Sequence, residues 1–103
     1  MTKNEVVKLI GETPNAHGVF DTITETERVV YCSVKSVGMN EAYQAQAIGL
    51  NPECKLVLAH DFEYGNERKC EFNGVLYKII RTYHTETDGI ELTIERMEGN
   101  ADV

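Results

Sequence analysis

Several features that define other classes of protein are missing from this sequence. No apolar run approaches the roughly 20 residues that a membrane-spanning helix needs, and the N-terminal segment has too few apolar residues for a secretion signal. These absences predict an intracellular protein without a membrane segment. The chain has 103 residues and no internal repeat, so we expect a single domain over residues 1–103, because so short a chain cannot bury two cores.

Cationic residues are scarce as well. The chain has 10 Lys and Arg residues against 17 Asp and Glu residues, which gives a formal net charge of −7. Binding to nucleic acid draws on contacts between Lys or Arg and phosphate that release counterions, so this balance disfavours tight or specific DNA binding. A position near DNA is still compatible with the charge, because a wall that repels phosphates lets a duplex pass without sticking.

Residue types that form catalytic and metal sites are few and scattered. Cys32, Cys54 and Cys70 are an odd number at wide spacing without a C-x-x-C pair, and we expect them to stay reduced and to pack as small apolar residues. Cys54 with His60 lacks the sequence context of a nucleophile turn, and the histidines lie in separate segments: His17, His60 and His84. With no Gly-rich phosphate loop either, the sequence predicts no enzymatic activity, no metal site and no cofactor.

What the chain does contain is a series of short strand patterns. Asn73-Gly74 stands between apolar runs and supplies the two positive φ angles of a type I′ turn, which predicts a hairpin. The predicted strands cover residues 6–10, 19–22, 25–37, 55–60, 69–72, 75–83 and 90–95, with loops or turns at 11–18, 64–67 and 85–89. A small sheet must close or cover its edges, so five to seven such strands predict a mainly β fold, an antiparallel barrel or sandwich.

The alternation of residues also predicts which side chains share a strand face. Three sets are expected on common faces: Val30, Cys32 and Val34; Tyr77, Ile79 and Arg81; and the buried Ile90, Leu92 and Ile94, whose intervening neighbours face water. Arg81 is then expected to pair with Glu91 or Glu95 across the hairpin, a contact worth about 0.2–1 kcal/mol.

One short helix interrupts the strands. Asn40 is predicted to cap a helix over residues 41–48, Gly49 to end it in the left-handed conformation, and Pro52 to prevent its resumption. A helix of fewer than about 12 residues is marginal in water, so this one must be held by the barrel or by another chain.

Two arrangements of this helix remain open from the sequence. In one, the helix lies in a groove and buries both of its sides. In the other, Tyr43 packs on the barrel while Ile48 faces outward beside Gln44, and burial of Ile48 in a subunit contact is worth about 1.5–3 kcal/mol.

The segments SVKSVGMNEAYQAQAIGLNPECKLVL and CEFNGVLYKIIRTYHTETDGIELTIE resemble the phage head-tail joining family, also called head closure or stopper proteins. The resemblance extends over about residues 29–95. It rests on the order and spacing of two sets of residues, Ser36, Glu41, Tyr43, Gln44, Ala45 and Gly49 around the helix, and Asn73, Gly74, Tyr77, Ile79, Arg81 and Tyr83 in the hairpin, followed by Glu91-Leu92.

This resemblance implies a small β-barrel whose copies form a ring beneath the portal and adaptor of the DNA-filled head, retain the packaged DNA and provide the surface to which the tail attaches. The implied partners are other copies of the chain, portal or adaptor proteins and tail proteins, first in the host cytoplasm and then at the neck of the virion. The hairpin set is expected to determine the fold, and residues 98–103 are expected to fray.

By the same resemblance, residues 38–53 correspond to a helical insertion that approaches the channel or a neighbouring subunit. We expect an assembly interface there, formed by Glu41, Tyr43, Gln44, Ala45, Ile48, Gly49 and Leu50.

Three other functions remain open. A tail completion or terminator protein would also be a small β-rich ring former, but it would bind the tail tube. An oligonucleotide-binding barrel would stack bases on Tyr31, Tyr77 and Tyr83, although the basic groove that such proteins use is missing. An enzyme would have to use Cys54 or the histidines.

Overall fold

A computed structural model describes residues 5–14 and 23–97 of the chain. The strands are β1 (Glu5–Pro14), β2 (Ile23–Lys35), β3 (Cys54–Leu58), β4 (Lys69–Phe72), β5 (Val75–His84) and β6 (Ile90–Arg96). One α-helix, α1 (Met39–Ala47), stands between β2 and β3, and a 3-10 helix (Asp61–Glu63) follows β3. All neighbouring strands pair antiparallel and close into a barrel in the order β1-β2-β3-β6-β5-β4. The predicted mainly β barrel with one inserted helix is confirmed.

The barrel interior is filled by apolar side chains from every strand. The core consists of Val7, Leu9, Cys32, Leu56, Leu58, Cys70, Phe72, Tyr77, Ile90, Leu92 and Ile94. The predicted burial of alternate residues on β6 is therefore confirmed, as is the packing of Cys32 and Cys70 as small apolar residues. Burial raises the pKa of the Cys70 thiol to about 12, so this side chain stays a neutral thiol.

Local turn chemistry explains the connections at both ends of β5. Asn73 and Gly74 have φ angles of 54° and 79°, as the predicted type I′ turn requires, and they join β4 to β5. The predicted turn at residues 85–89 is also present, with the Thr85 N–H donating to the Gly89 carbonyl at 3.0 Å. Gly89 is needed there because a Cβ atom would lie 2.7 Å from the Leu58 carbonyl oxygen.

Strand ends differ from the predictions where pairing partners extend or shorten a strand. Residues 11–14 were predicted as part of a loop, but they continue β1 because they pair with residues 23–26 of β2. The strand predicted at residues 55–60 ends at Leu58, since the 3-10 helix begins soon afterwards. The strand predicted at residues 19–22, the rest of the loop and residues 98–103 lie outside the described residues.

One prediction about strand faces is confirmed and another is wrong in part. Val34 pairs with the buried Leu56 and so lies on the inner face, as predicted with Val30 and Cys32, but it stays exposed because β2 ends at the next residue. Thr93 was predicted to face water, yet it is buried because the chain segment that contains α1 covers this part of β6.

A β-bulge reverses the predicted orientation of Arg81. Ile79 pairs with Ile94 and Arg81 pairs with Thr93, so Ile80 is an extra residue on β5. A bulge of one residue shifts the alternation of side chains between the two faces. Arg81 consequently lies on the outer face, and the prediction that it shares a face with Tyr77 and Ile79 is wrong.

Within the two described ranges, the structure has no helix with the length and apolar character that a membrane crossing requires.

Candidate functional site

Backbone conformation sets both ends of α1. Gly38, rather than the predicted Asn40, is the N-cap residue, and no side chain of the described residues caps the helix. The Gly38 carbonyl accepts the first helical hydrogen bond from the Ala42 N–H at 2.9 Å, so the helix begins two residues earlier than predicted. At the other end Gly49 has a φ of 85°, which confirms the predicted left-handed end, and the Leu50 N–H donates to the Ala45 carbonyl at 2.9 Å.

The helix buries none of its own residues. Tyr43 is 63% exposed and Ile48, which follows the helix, is 73% exposed. The first predicted arrangement is wrong, because the helix does not bury both sides. In the second, the predicted exposure of Ile48 is confirmed, but Tyr43 does not pack on the barrel. The partly buried residues of the helix are Glu41, Ala42 and Ala45 instead. A helix of 9 residues in which no side chain is fully buried needs other attachments to stay folded.

A chain of ion pairs attaches the first turn of α1 to the outer face of the barrel. The Glu41 carboxylate lies 2.6 Å from Lys55 Nζ and 3.4 Å from Arg81 Nη1. Lys35 Nζ lies 2.9 Å from Glu91 Oε2, and this hydrogen bond raises the pKa of Lys35. The predicted pairing of Arg81 with Glu91 or Glu95 is thus replaced by pairing with Glu41, because the bulge directs Arg81 toward the helix.

Backbone hydrogen bonds attach the segment that follows α1. The Asn51 N–H donates to Glu95 Oε1 at 2.7 Å, and the Glu53 N–H donates to the Ile94 carbonyl at 2.8 Å. The insertion is therefore bonded to β6 just before β3 begins.

Glu53 adds a charged attachment at the same point. Its carboxylate accepts hydrogen bonds from the Arg96 guanidinium at 3.3 Å and the Tyr77 hydroxyl at 2.9 Å. The hydrogen bond from Arg96 lowers the pKa of Glu53 most, burial opposes it, and the bond from Tyr77 lowers the pKa further. The Arg96 guanidinium also lies 5.8 Å from the centre of the Tyr77 ring.

Between α1 and the outer face of β5 and β6 lies an open groove with a volume of about 260 Å³. We call it the α1 groove and define it by the residues that line it: Glu41, Gln44, Ala45, Ile48, Leu50, Pro52, Ile80, Arg81 and Thr93. Its wall is mainly apolar, and the bulged residue Ile80 contributes to it because the extra residue turns its side chain toward the helix. The groove is smaller than the about 300–1,000 Å³ typical of small-molecule pockets.

No protein-family model and no curated protein matches this chain. The resemblance to head-tail joining proteins therefore stays a prediction from the residues.

The structure brings most of the predicted interface residues together. Glu41, Gln44, Ala45, Ile48 and Leu50 all line the α1 groove. Tyr43 and Gly49 are exposed and do not line it. Sequence reasoning did not place the other four lining residues in an interface: Pro52, Ile80, Arg81 and Thr93. No local signal marks the bulge that places Ile80 in the groove.

The hairpin residues divide between the core and the outer face. Tyr77 is buried and Ile79 packs against the core, whereas Arg81 and Tyr83 are exposed on the outer face. Tyr77 is therefore closed to stacking on bases, although Tyr31 and Tyr83 are exposed.

A larger cleft of about 470 Å³ lies beside β1 and β4 and contains paired charges. Lys69 Nζ lies 3.4 Å from Glu12 and 3.3 Å from Glu25, and Glu67 accepts hydrogen bonds from Arg28 at 2.8 and 3.0 Å. Because each of these charges already has a partner in the chain, we assign them to the stability of the barrel.

The titratable residues considered as candidates for catalysis do not converge. Among residues 5–14 and 23–97, no group of three or more His, Cys, Asp or Glu side chains is arranged to hold a metal ion. Burial and the neighbouring Glu53 raise the pKa of Cys54, which disfavours its thiolate. His84 Nδ1 lies 3.6 Å from Asp61, His60 stacks on Phe62, and His17 lies outside the described residues.

Proposed function

We propose that this protein is a structural virion protein of a tailed phage or prophage, the subunit of a head closure ring. In this role it binds below the portal or adaptor, retains the packaged DNA and provides the surface to which the tail attaches. The observation that carries the proposal is that α1 buries no residue within its own subunit and leaves an apolar groove open beside it. The resemblance of residues 29–95 to head-tail joining proteins supports the same role.

A helix that has no fully buried residue within its own subunit, such as α1, suits a protein that works by assembly. Ion pairs and a few hydrogen bonds hold the helix in place, while Met39, Tyr43 and Ile48 remain exposed. A neighbouring subunit that covers such side chains gains about 1.5–3 kcal/mol for each one that it fully buries. The insertion therefore offers a binding surface at little cost to the barrel, whose core does not include it.

The net charge of −7 fits the same role in two ways. Like charges keep free copies apart until a template concentrates them, and an acidic surface near packaged DNA repels the phosphates. Neither effect needs a catalytic group.

Heads that are assembled without this protein test the proposal. We expect such heads to lose their genome after packaging and to fail to accept tails, and the added protein to restore both properties. The readouts are nuclease-protected DNA and the fraction of tailed particles. If heads that lack the protein keep their genome and accept tails as well as complete heads do, the proposal is wrong.

Two matched variants connect this test to the insertion. Ile48→Glu places a charge on the α1 groove, whereas Val29→Glu makes the same change at an exposed apolar residue on β2. We expect only the first variant to fail to complement the heads. Sedimentation of the protein with isolated tails but not with heads would instead favour a tail completion or terminator protein.

A further inference from the structure

The turn after β3 presents the aromatic side chain of Phe62 to solvent. Phe62, in the 3-10 helix (Asp61–Glu63), is 77% exposed, more than any other large apolar side chain of the described residues. Its ring stacks on that of His60, with 5.0 Å between ring centres and 11° between planes. The ring is therefore supported in its exposed position by a neighbouring ring.

Hydrogen bonds also hold the turn in one shape. The Asp61 N–H donates to the Asp88 carbonyl at 2.7 Å, and the Tyr64 N–H donates to the Asp61 carbonyl at 3.1 Å. The His60 N–H donates to the Glu63 carboxylate at 3.4 Å. Because the turn is fixed by these bonds and the Phe62 ring is stacked on His60, the Phe62 side chain loses little conformational freedom when it binds. This favours its use as an anchor in an interface.

The α1 groove has the size and the polarity that Phe62 requires. Its volume is about 260 Å³ and its wall is mainly apolar. A cavity of about 150 Å³ is known to hold a benzene molecule, so the ring of one phenylalanine fits with room for the backbone that carries it.

The charges around the two features are complementary. The carboxylates of Asp61 and Glu63 flank Phe62. Arg81 lines the groove with 60% of its side chain exposed, and Lys35, with 48% exposed, lies in the adjoining pocket that Arg81 also lines. The carboxylates that pair with these cations, Glu41 and Glu91, are mostly buried, with 21% and 13% of their side chains exposed. Insertion of Phe62 would thus bring carboxylates toward exposed cations.

The two features lie at different ends of one strand. The groove includes Pro52, just before β3, whereas Phe62 follows the other end of β3. A strand of 5 residues separates the two by roughly 17 Å, so the turn cannot enter the groove of its own subunit. Contact between two different surfaces of identical chains is head-to-tail, and it forms a ring where the rotation between copies closes.

We propose that Phe62 of one copy inserts into the α1 groove of the next copy, with Asp61 and Glu63 facing Arg81 and Lys35. The contact supplies the burial that α1 lacks within its own subunit. The biological meaning of this contact rests on the proposed function, because the two surfaces would join neighbouring subunits of the proposed ring.

Photo-crosslinking of the purified full-length chain tests this contact. The photoreactive p-benzoylphenylalanine replaces Phe62 in one preparation and the exposed Tyr31 of β2 in the control. Mixed with isotope-labelled wild type at high concentration, the first preparation should form intermolecular adducts that map to residues 44–52 or to Ile80. The control should not do so. Absence of intermolecular adducts from position 62, or adducts that map elsewhere, would overturn the proposal.

Charge and groove variants make the test specific. In the labelled partner, Ile48→Glu should reduce the adduct at least tenfold, while the matched Val29→Glu should leave it unchanged. Asp61→Lys beside the photoreactive residue should also reduce the yield, and Arg81→Glu in the partner should restore it. Circular dichroism confirms that each variant is folded, and an equal effect of Ile48→Glu and Val29→Glu would contradict the contact.

The crosslinking experiment and the head assay can give different answers, because they test the contact and the phage role separately. Adducts in the groove, together with heads that do not need the protein, would refute the phage role and leave the contact between copies standing. Heads that need the protein, without adducts in the groove, would refute the contact and leave the proposed function standing.

Discussion

Glu67 is the one carboxylate that the described part of the chain buries, with 7% of the residue exposed. It accepts hydrogen bonds from Arg28 Nη2 and from the Gly65 N–H, both at 2.8 Å. Burial by itself raises the pKa of Glu67, but the hydrogen bonds from Arg28 and the backbone outweigh it, so the pKa lies below its ordinary value. A single residue thus joins β2 to the segment before β4.

Replacement of Glu67 by Gln should lower the free energy of unfolding by about 1.5–3 kcal/mol, because it removes a buried charge that accepts hydrogen bonds from Arg28, whose own side chain is 43% exposed. The matched control is Glu71→Gln, which removes a half-exposed partner of Lys8 at 3.5 Å. We expect the control to change stability by less than about 0.5 kcal/mol. Urea unfolding at neutral pH measures both variants, and equal losses would contradict the assignment.

The pH dependence of this difference follows from the direction of the pKa shift. Because the pKa of Glu67 is lower in the folded state, the stabilisation is fully present above the ordinary value of about 4.3. It is lost as the pH falls through the folded-state pKa. The difference in stability between wild type and Glu67→Gln should therefore shrink in acid, whereas a constant difference down to that range would contradict the shift.

At the scale of elements, α1 differs from the strands in what holds it. The strands bury apolar side chains in one core, whereas the helix depends on Glu41 at its first turn and on Asn51 and Glu53 beyond its end. Elements with little apolar burial open at low free energy and exchange their amide hydrogens early. The helix is thus the part of the described fold that a neighbour can most readily stabilise.

Hydrogen exchange should report this difference. In the free protein, Glu41→Gln should speed exchange over residues 41–48 about fivefold, because a partly shielded ion pair with Lys55 contributes about 1 kcal/mol. The exposed Glu86→Gln in the turn before β6 should leave it unchanged. In assembled protein the wild-type segment should exchange more slowly than in the free form. Equal protection in the two states would mean that assembly does not complete the helix.

At the scale of the whole molecule, charge and shape act against each other. Among the described strands, closure of the barrel pairs the edges except where β1 and β2 extend beyond β4 and β3, so association through the closed part depends on side chains at the surface. The net charge of −7 opposes association at long range, while the Phe62 turn and the α1 groove favour it at contact. Salt weakens long-range repulsion more than it weakens a contact from which water is excluded.

The purified protein should consequently be monomeric at low concentration and low salt, and it should associate more strongly as salt is raised. The Debye length falls from about 30 Å at 0.01 M to about 10 Å at 0.1 M, which removes most of the repulsion between separate copies. Sedimentation velocity over this range measures the effect. Stable rings at low concentration and low salt would show that charge does not hold the copies apart.

Local patterns were sufficient for much of the fold. The Asn73-Gly74 turn, the buried Ile90, Leu92 and Ile94, and the helix end at Gly49 all followed from neighbouring residues, because φ preference and side-chain alternation are properties of short segments. The presence of a helix within residues 38–53 followed in the same way, whereas the residues expected at its interface came from the resemblance to head-tail joining proteins.

Tertiary pairing alone decided the remaining features. The extension of β1 depends on its distant partner β2, and the bulge at Ile80 depends on the register between β5 and β6. That bulge turned Arg81 outward, gave Glu41 a partner and formed one wall of the groove, while the position of α1 left Tyr43 in solvent. Register is a relation between segments far apart in the chain, so no local pattern in either segment specifies it.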